Sequence, residues 1–386
     1  MRTYEGTHPW ITFRLDLRQA PHTFWALLGE AASKCEHLAG VPLQPAVAQQ
    51  MRQLFLAKGA RATTAIEGNT LTEDEVLRRI QGQAQLPPSK EYLGQEIDNI
   101  VTACREIEAR LLEGGGAELT PDLLKQYNAT VLRNLAVDPE VIPGQVRTYN
   151  VGVSRYRGTP PEDCEHLLER LCGWLNSETC VVGEIEPIAA GVIRALAAHL
   201  YIAWIHPFGD GNGRVARLVE FQFLIAGGVP DIAAHLLSNH YNITRTDYYR
   251  QLDRTSQSGG NVFDFFTYAL RGFVDQLREQ IVTVREQQLR VHWINFVHEQ
   301  FSGRNSLAAT RQRNLVLDLT GKPHVKRSDI RALSPRLAAA YSGKTAKTVS
   351  RDLNELKTMG LIDEETTGIR ARVDCMAAFL PRQRGQ

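Results

Sequence analysis

Apolar residues recur three and four positions apart over most of this chain, a period that predicts a mainly α-helical protein. Leu54 to Ile66 reads as one helix, stopped by Gly68-Asn69. Thr72-Glu73-Asp74-Glu75 is a capping box that opens the next. Tyr92 to Leu112 is another helix, broken by Glu113-Gly114-Gly115-Gly116. Thr120-Pro121-Asp122 then supplies an N-cap and an N1 proline. Between Gly144 and Pro161 the period changes. Val146, Tyr149, Val151, Val153 and Tyr156 are β-formers set among Gly and Pro, which predicts an extended hairpin. The longest apolar run, Ile188 to Ile205, is interrupted by Arg194 and His199, which predicts a buried central helix and not a membrane span.

Beyond about residue 290 the texture differs again. Ser334-Pro335 starts a short helix through Tyr341, Ser342-Gly343-Lys344 turns, and Thr345 to Met359 is a second helix with Val349, Leu353 and Leu356 on one face. Gly360-Leu361-Ile362 leads into a hairpin around Thr367-Gly368 that ends Arg370-Ala371-Arg372-Val373. That order predicts a winged helix-turn-helix domain. Its second helix offers Lys344, Lys347, Arg351 and Lys357 to phosphates, but Asp352, Glu355 and Asp363-Glu364-Glu365 oppose a purely basic surface. DNA and a protein surface are therefore both open as partners of this domain. The breaks divide the chain into an N-terminal helical region (1–113), a core (117–290) and the C-terminal domain (291–386).

A length of 386 residues fits two or three domains. An apolar share of 43% and a charged share of 23% fit a soluble globular protein. Formal net charge is +1, so no global field argues for nucleic acid or membrane. The six cysteines (35, 104, 164, 172, 180 and 375) show no C-x-x-C and no metal spacing, so ordinary buried thiols in a reducing, cytoplasmic protein are expected. Met1-Arg2-Thr3-Tyr4-Glu5 has no apolar signal-peptide core. A homodimer stays open.

The densest chemistry is His206-Pro207-Phe208-Gly209-Asp210-Gly211-Asn212-Gly213-Arg214-Val215-Ala216-Arg217. Pro207 ends the apolar helix and pushes His206 toward an extended conformation. Three glycines let the backbone turn sharply and expose its N–H groups. A new helix is expected to start near Gly213, and a glycine loop running into a helix N-terminus is an anion site. Arg214 and Arg217 are three apart, so both can reach a polyphosphate from one helix face. Asp210 is a hard oxygen ligand suited to Mg2+. His206 can take a proton from a hydroxyl near neutral pH.

These twelve residues resemble, at every position, the signature of the Fic (filamentation induced by cAMP) family, His-Pro-Phe-x-Asp/Glu-Gly-Asn-Gly-Arg-x-x-Arg. Thr63-Thr64-Ala65-Ile66-Glu67-Gly68 is similar to that family's inhibitory-helix pattern, Ser/Thr-x-x-x-Glu-Gly/Asn, placed N-terminal to the core. Leu237-Ser238 and Tyr248-Tyr249-Arg250-Gln251-Leu252 resemble the stretch downstream of the signature in these enzymes. The likeness spans roughly residues 20 to 275.

The resemblance implies a Fic-type helical bundle whose 144–161 hairpin is a flap over the active site. An extended edge there could align a target segment by strand addition. It further implies transfer of AMP from ATP to a Ser, Thr or Tyr hydroxyl of a target protein, with release of pyrophosphate. His206 would be the catalytic base. Phe208, Gly209, Asp210, Gly211, Asn212, Gly213, Arg214 and Arg217 would bind the nucleotide, Asn212 and the loop N–H groups at the α-phosphate, and Asp210 would hold Mg2+. Tyr248 or Tyr249 would pack on adenine, or both would serve as core tyrosines. Thr63, Glu67 and Gly68 would form the inhibitory element, with Glu67 pairing with Arg217 and denying it to the γ-phosphate. The related Doc kinases carry Lys where this chain has Gly213, so nucleotidyl transfer is favoured over phosphorylation. Some family members also use the inhibitory glutamate to remove AMP. Two other readings are a DNA-binding regulator that only senses nucleotide, which would not need His206, and a transferase of the same fold with another nucleotide donor.

Overall fold

The computed structural model describes residues 2–83, 86–153 and 155–376. Its helices are α1 (Thr3–Thr7), α2 (His22–Ala39), α3 (Pro45–Ile66), α4 (Glu73–Ile80), α5 (Glu91–Leu112), α6 (Pro121–Val131), α7 (Pro161–Asn176), α8 (Pro187–Ile205), α9 (Asn212–Ala226), α10 (Leu236–Ile243), α11 (Arg245–Gln257), α12 (Val262–Gln300), α13 (Leu307–Leu319), α14 (Pro335–Tyr341) and α15 (Ala346–Thr358). Two antiparallel hairpins complete the fold, β1 (Gly152–Val153) with β2 (Tyr156–Arg157) and β3 (Ile362–Glu365) with β4 (Gly368–Ala371).

Side-chain caps mark five of the α-helix starts among the described residues. Thr72 accepts from the Glu75 N–H while the Glu75 carboxylate accepts from the Thr72 N–H, so two orphan donors are satisfied reciprocally at the head of α4. Thr120 caps α6 and Ser334 caps α14, each with proline at the first helical position. Glu186 caps α8 with both carboxylate oxygens. The start of α3 is Pro45, well before the expected Leu54, because Pro45 is itself an N1 proline.

Contacts divide the chain into two units, Met1–Ile281 and Val282–Gln386. The glycine run 114–116 is not a division, since the helices on both sides of it pack in the first unit. There α8 is the central element, and 83% of its apolar window is buried among its neighbours. It packs most extensively on α9, and also on α2 and α7. A Cβ at Gly191 of α8 would lie 2.8 Å from the Gly227 Cα, so only glycine permits this approach of α8 to the end of α9. Helix α3 packs on α4, α5 and α10, which brings its C-terminus to α9. Five cysteines are buried as expected, but Cys375 is exposed.

The second unit has its own core, built on Trp293, Phe301, Leu319, Leu337, Leu353 and Ile369. Its order is α13, a single bridging residue Val325 paired antiparallel with Ile369, then α14, α15 and the β3–β4 hairpin. Residues 377–386 of the expected C-terminal domain lie outside the described residues. Asp352 of α15 is buried and fully engaged. It accepts from Arg311 Nε at 2.7 Å, Arg311 Nη2 at 3.1 Å, Gln312 Nε2 at 3.0 Å and the Tyr341 hydroxyl at 3.1 Å. Asp352→Ala strands the Arg311 cation and is expected to destabilise this unit by about 3–5 kcal/mol, whereas replacing both partners with apolar residues costs far less. Hydrogen exchange of the α13 and α15 amides reads the difference. Equal protection in wild type and Asp352→Ala would contradict it.

Candidate active site

The site is built at the junction of α8 and α9. His206 caps α8 in the left-handed conformation, φ 51° and ψ 58°, and not in the extended one expected from Pro207. The proline disfavours only the right-handed region. What selects the left-handed one is Arg147, a buried residue that sequence reasoning passed over. Its Nε donates to the His206 carbonyl at 2.7 Å, and its backbone N–H donates to the Pro207 carbonyl at 3.0 Å. The same guanidinium donates to the carbonyls of Tyr149 at 2.7 Å and Thr159 at 2.6 Å. One cation therefore ties the loop after α8 to both arms of the 144–161 segment. That segment is mostly irregular for the same reason. Its carbonyls turn in toward Arg147, and only β1 and β2, two residues each, pair as strands. Ser154, between β1 and β2 in sequence, lies outside the described residues. The Tyr156 hydroxyl donates to the Trp204 carbonyl at 2.6 Å and pins the hairpin to α8.

The loop closes on itself through Asn212. Its side chain donates to the Phe208 carbonyl at 2.8 Å and accepts from the Phe208 N–H at 2.9 Å. The amide oxygen and one N–H are thus committed to the loop, while Asn212 also lines the cleft. Phe208 is likewise a core anchor, buried and absent from the cleft wall. Asn128, also missed, donates to the Asp210 carbonyl at 2.8 Å and accepts from the Gly144 N–H at 2.9 Å. Gly211 is the N-cap of α9 with φ 80°, so that helix begins at Asn212, one residue before the expected start.

A cleft of ≈ 530 Å³ opens over this loop. His206, Gly209, Asp210, Gly211, Asn212, Gly213 and Arg217 line it, with Glu67 from α3, Tyr248 from α11 and residues of β1 and β2 on the other walls. Arg214 is not on that wall. It is buried, donates to both Asp210 oxygens at 3.1 and 3.2 Å, and faces Glu96 at 3.9 Å. The two arginines therefore do not share the cleft: Arg217 faces it and Arg214 holds Asp210 from behind.

Arg217 is buried and heavily engaged. Its Nε donates to the Thr63 hydroxyl at 2.6 Å, and its Nη2 donates to the Thr63 carbonyl at 3.0 Å and to Glu67 Oε1 at 2.5 Å. Nη1 has no partner among the described residues. Glu67 is the C-cap of α3, and Gly68, at φ 109°, turns the chain away behind it. Burial pushes the Glu67 carboxyl up, but the charge and hydrogen bond of Arg217, with Arg214 and Arg245 beyond, outweigh it and hold it below the usual range. The pair thus persists as pH falls until Glu67 is protonated. A Cβ at Gly213 would sit 2.5 Å from Glu67 Oε1, so the absence of a side chain there makes room for the carboxylate.

The His206 imidazole is held neutral. Burial, reinforced by the Arg147 charge, pushes it down to about 4. Its Nδ1 faces the Ala203 carbonyl at 3.4 Å, which leaves Nε2 as the acceptor nitrogen. Tyr248 is a core tyrosine with one edge on the cleft: its ring stacks on Tyr241 at 4.7 Å, and its hydroxyl meets His199 Nε2 at 2.8 Å. Its neighbour Tyr249 is the more exposed ring on that wall.

Residues 118–224 match the Fic/DOC family. The chain is 32% identical over 190 residues to protein adenylyltransferase fic-1 of Caenorhabditis elegans, covering 49% of this chain and 34% of that protein. It is 25% identical over 209 residues to protein adenylyltransferase Fic of Nematostella vectensis, covering 54% and 45%. It thus spans between a third and a half of the length of these relatives. Among solved structures, a Fic family protein from Desulfovibrio desulfuricans G20 superposes with a TM-score of 0.55 at 21% identity, covering 95% of this chain and 98% of that one. Fic-1 of C. elegans superposes with a TM-score of 0.55 at 24% identity, covering 68% and 73%. At these identities the two structures speak for the fold alone.

Arg147→Lys keeps the charge but loses the fork that spans separate carbonyls. It is expected to speed hydrogen exchange at the Arg147 and Thr159 amides, which bond to Pro207 and Ile205, by about tenfold or more, given ~1.5–3 kcal/mol for a charged hydrogen bond. Unchanged protection at both amides would show that the loop stands without the guanidinium.

Proposed function

We propose, with residues 118–224 as a Fic/DOC-family domain, that this chain transfers AMP from ATP to a hydroxyl side chain of a target protein and is held inactive by the Glu67–Arg217 pair. The observation that carries the reading is one cleft holding a neutral imidazole, a helix N-terminus and a buried arginine with an unspent donor. In the reaction, the target hydroxyl oxygen attacks the α-phosphorus, and its proton passes to His206 Nε2. The new P–O bond forms as the bond to the β-phosphate oxygen breaks, and pyrophosphate leaves with that electron pair. The N–H groups at the start of α9 face the phosphates with the positive end of the helix dipole. Arg217 takes up charge on the departing pyrophosphate.

Asp210 suits Mg2+ as one carboxylate among phosphate and water ligands. Its side chain is half exposed at the cleft, and Arg214 orients it. Among the described residues no cluster of three acidic, His or Cys ligands exists, so the phosphates would complete the coordination. Such an ion would offset phosphate charge. The hairpin edge, with Val153 exposed, would present the target segment beside His206.

The inhibited state follows from occupancy. With Thr63 and Glu67 on three of its bonds, Arg217 keeps only Nη1 for the γ-phosphate beside the Glu67 carboxylate, and ATP then settles with its α-phosphate displaced. A displacement of ~1 Å can cost ~10²-fold in rate. Glu67→Gly is therefore expected to raise auto-modification by about that factor, whereas Arg217→Ala, which breaks the same pair, should not. Both are assayed side by side with labelled ATP, GTP, UTP and CTP. Equal activation by the two variants would make the pair a mere tether of α3. A preference for another nucleotide would replace the donor but keep the chemistry.

The neutral His206 adds a pH expectation. An imidazole with a pKa near 4 is already a base throughout the neutral range. Transfer by Glu67→Gly should therefore stay flat from about pH 8 to pH 6 and fall only as acid approaches that pKa. His206→Ala should lose ~10²–10⁴ in rate while retaining ATP binding. A midpoint near 6.5 in the profile would show that the ring is not desolvated.

A further inference from the structure

The acidic residues that oppose a nucleic-acid surface in the sequence are all engaged within the second unit. Asp352 is consumed by Arg311, Gln312 and Tyr341. Glu355 accepts from Gln312 at 2.8 Å and faces Arg304 at 3.8 Å. Arg370 takes Asp363, Glu365 and Asp374, and Arg327 takes Glu364. Between residues 307 and 376 there are thirteen Lys/Arg against eight Asp/Glu, in a chain whose net charge is only +1. The positive excess is therefore local, and internal pairing removes much of the acidic charge that could mask it.

Part of what is left falls on one surface. Helix α15 buries Val349, Leu353 and Leu356 and exposes the opposite side. Lys347, Ser350, Arg351 and Asn354 recur there at spacings of three and four, so they form a single row. Among the described residues the Lys347 and Arg351 side chains have no ion pair, and neither does Lys344 in the turn just before the helix. Thr345 at the N-cap makes no side-chain capping bond, which leaves the first N–H groups of α15 open.

We propose that this face of α15 binds double-stranded DNA. The helix is the second of a close pair, α14 then α15, joined by a short turn at Ser342-Gly343-Lys344, and the β3–β4 hairpin comes after it. A second helix so placed can enter the major groove, about 12 Å wide, with its N-terminal residues toward the bases. Lys344 and Lys347 match backbone phosphates, and Arg351 and Asn354 have the donors and acceptors that read purine edges. Charge complementarity selects this occupant. A polyanion can pair all of these cations at once, whereas an apolar protein surface would bury them unpaired, at a cost in desolvation.

The test uses the full chain and a labelled mixed-sequence duplex of about 30 base pairs, read by fluorescence anisotropy. Binding is expected at about 50 mM salt, and a rise to about 200 mM should weaken it roughly 12-fold if the two phosphates facing Lys344 and Lys347 are neutralised. Lys347→Ala with Arg351→Ala should weaken it at least ~10-fold and reduce the salt slope by about one, for the phosphate contact of Lys347. ATP-dependent auto-modification should be unchanged by the pair. Both positions are exposed, so the α15 amides should keep their exchange protection. Lys347→Glu with Arg351→Glu provides a second, stronger variant and should abolish binding. No binding at low salt overturns the proposal, as does equal binding by wild type and the alanine pair. A change in the molar mass of the free chain caused by the alanine pair, with no DNA binding by wild type, would assign the face to a contact between copies and overturn it too.

Discussion

A single buried guanidinium sets the geometry of the cleft. Arg147 spends its donors on backbone carbonyls of three separate stretches, the end of α8, the approach to β1 and the exit from β2. A buried cation satisfied by carbonyl dipoles is costly to place and costly to remove, because its loss leaves several oriented oxygens without partners. The left-handed backbone of His206 depends on this arrangement, since a non-glycine residue held there costs on the order of 1–3 kcal/mol. The same charge also helps keep the imidazole neutral. Position and strain of His206 thus share one origin, and its neutral state, set first by burial, is reinforced from the same place.

The loop side of the cleft is organised by side-chain amides beside the Arg214–Asp210 pair. Asn212 ties the loop to itself, and Asn128 ties it to α6 and to Gly144. These contacts are short and internal, so the loop is rigid before any ligand arrives. Its N–H groups are therefore already aimed, which is what electrostatic preorganisation requires.

Much of this was legible along the chain, and the boundary of legibility has a physical meaning. Helix starts at Thr72, Thr120 and Ser334 were readable because a cap is a local interaction between neighbours in sequence. The α14–α15 pair and the β3–β4 hairpin were readable from periodicity and from glycine placement. Residues 206–217 pointed to the cleft because their chemistry is crowded into one loop. Arg147 was invisible because its partners lie up to about sixty residues away and are backbone atoms, which carry no sequence signature. Arg214 and Arg217 could not be told apart by spacing alone. Asp210 and Glu96 claim the first, and Thr63 with Glu67 claims the second. The short strands around residue 154 mark the opposite failure, where β-forming residues are diverted because their carbonyls serve a cation.

Glu67 and Arg217 lie on one chain, 150 positions apart, and meet within one packed unit. The carboxylate is therefore a tethered ligand whose local concentration at the guanidinium is set by the packing of α3 and not by dilution. Any free anion that competes for Arg217 faces that effective molarity, and protein concentration drops out of the balance. The quantity that decides the outcome is the opening free energy of the last turn of α3. Sequence changes far from the cleft that loosen or tighten that turn shift the balance as directly as changes at the pair itself.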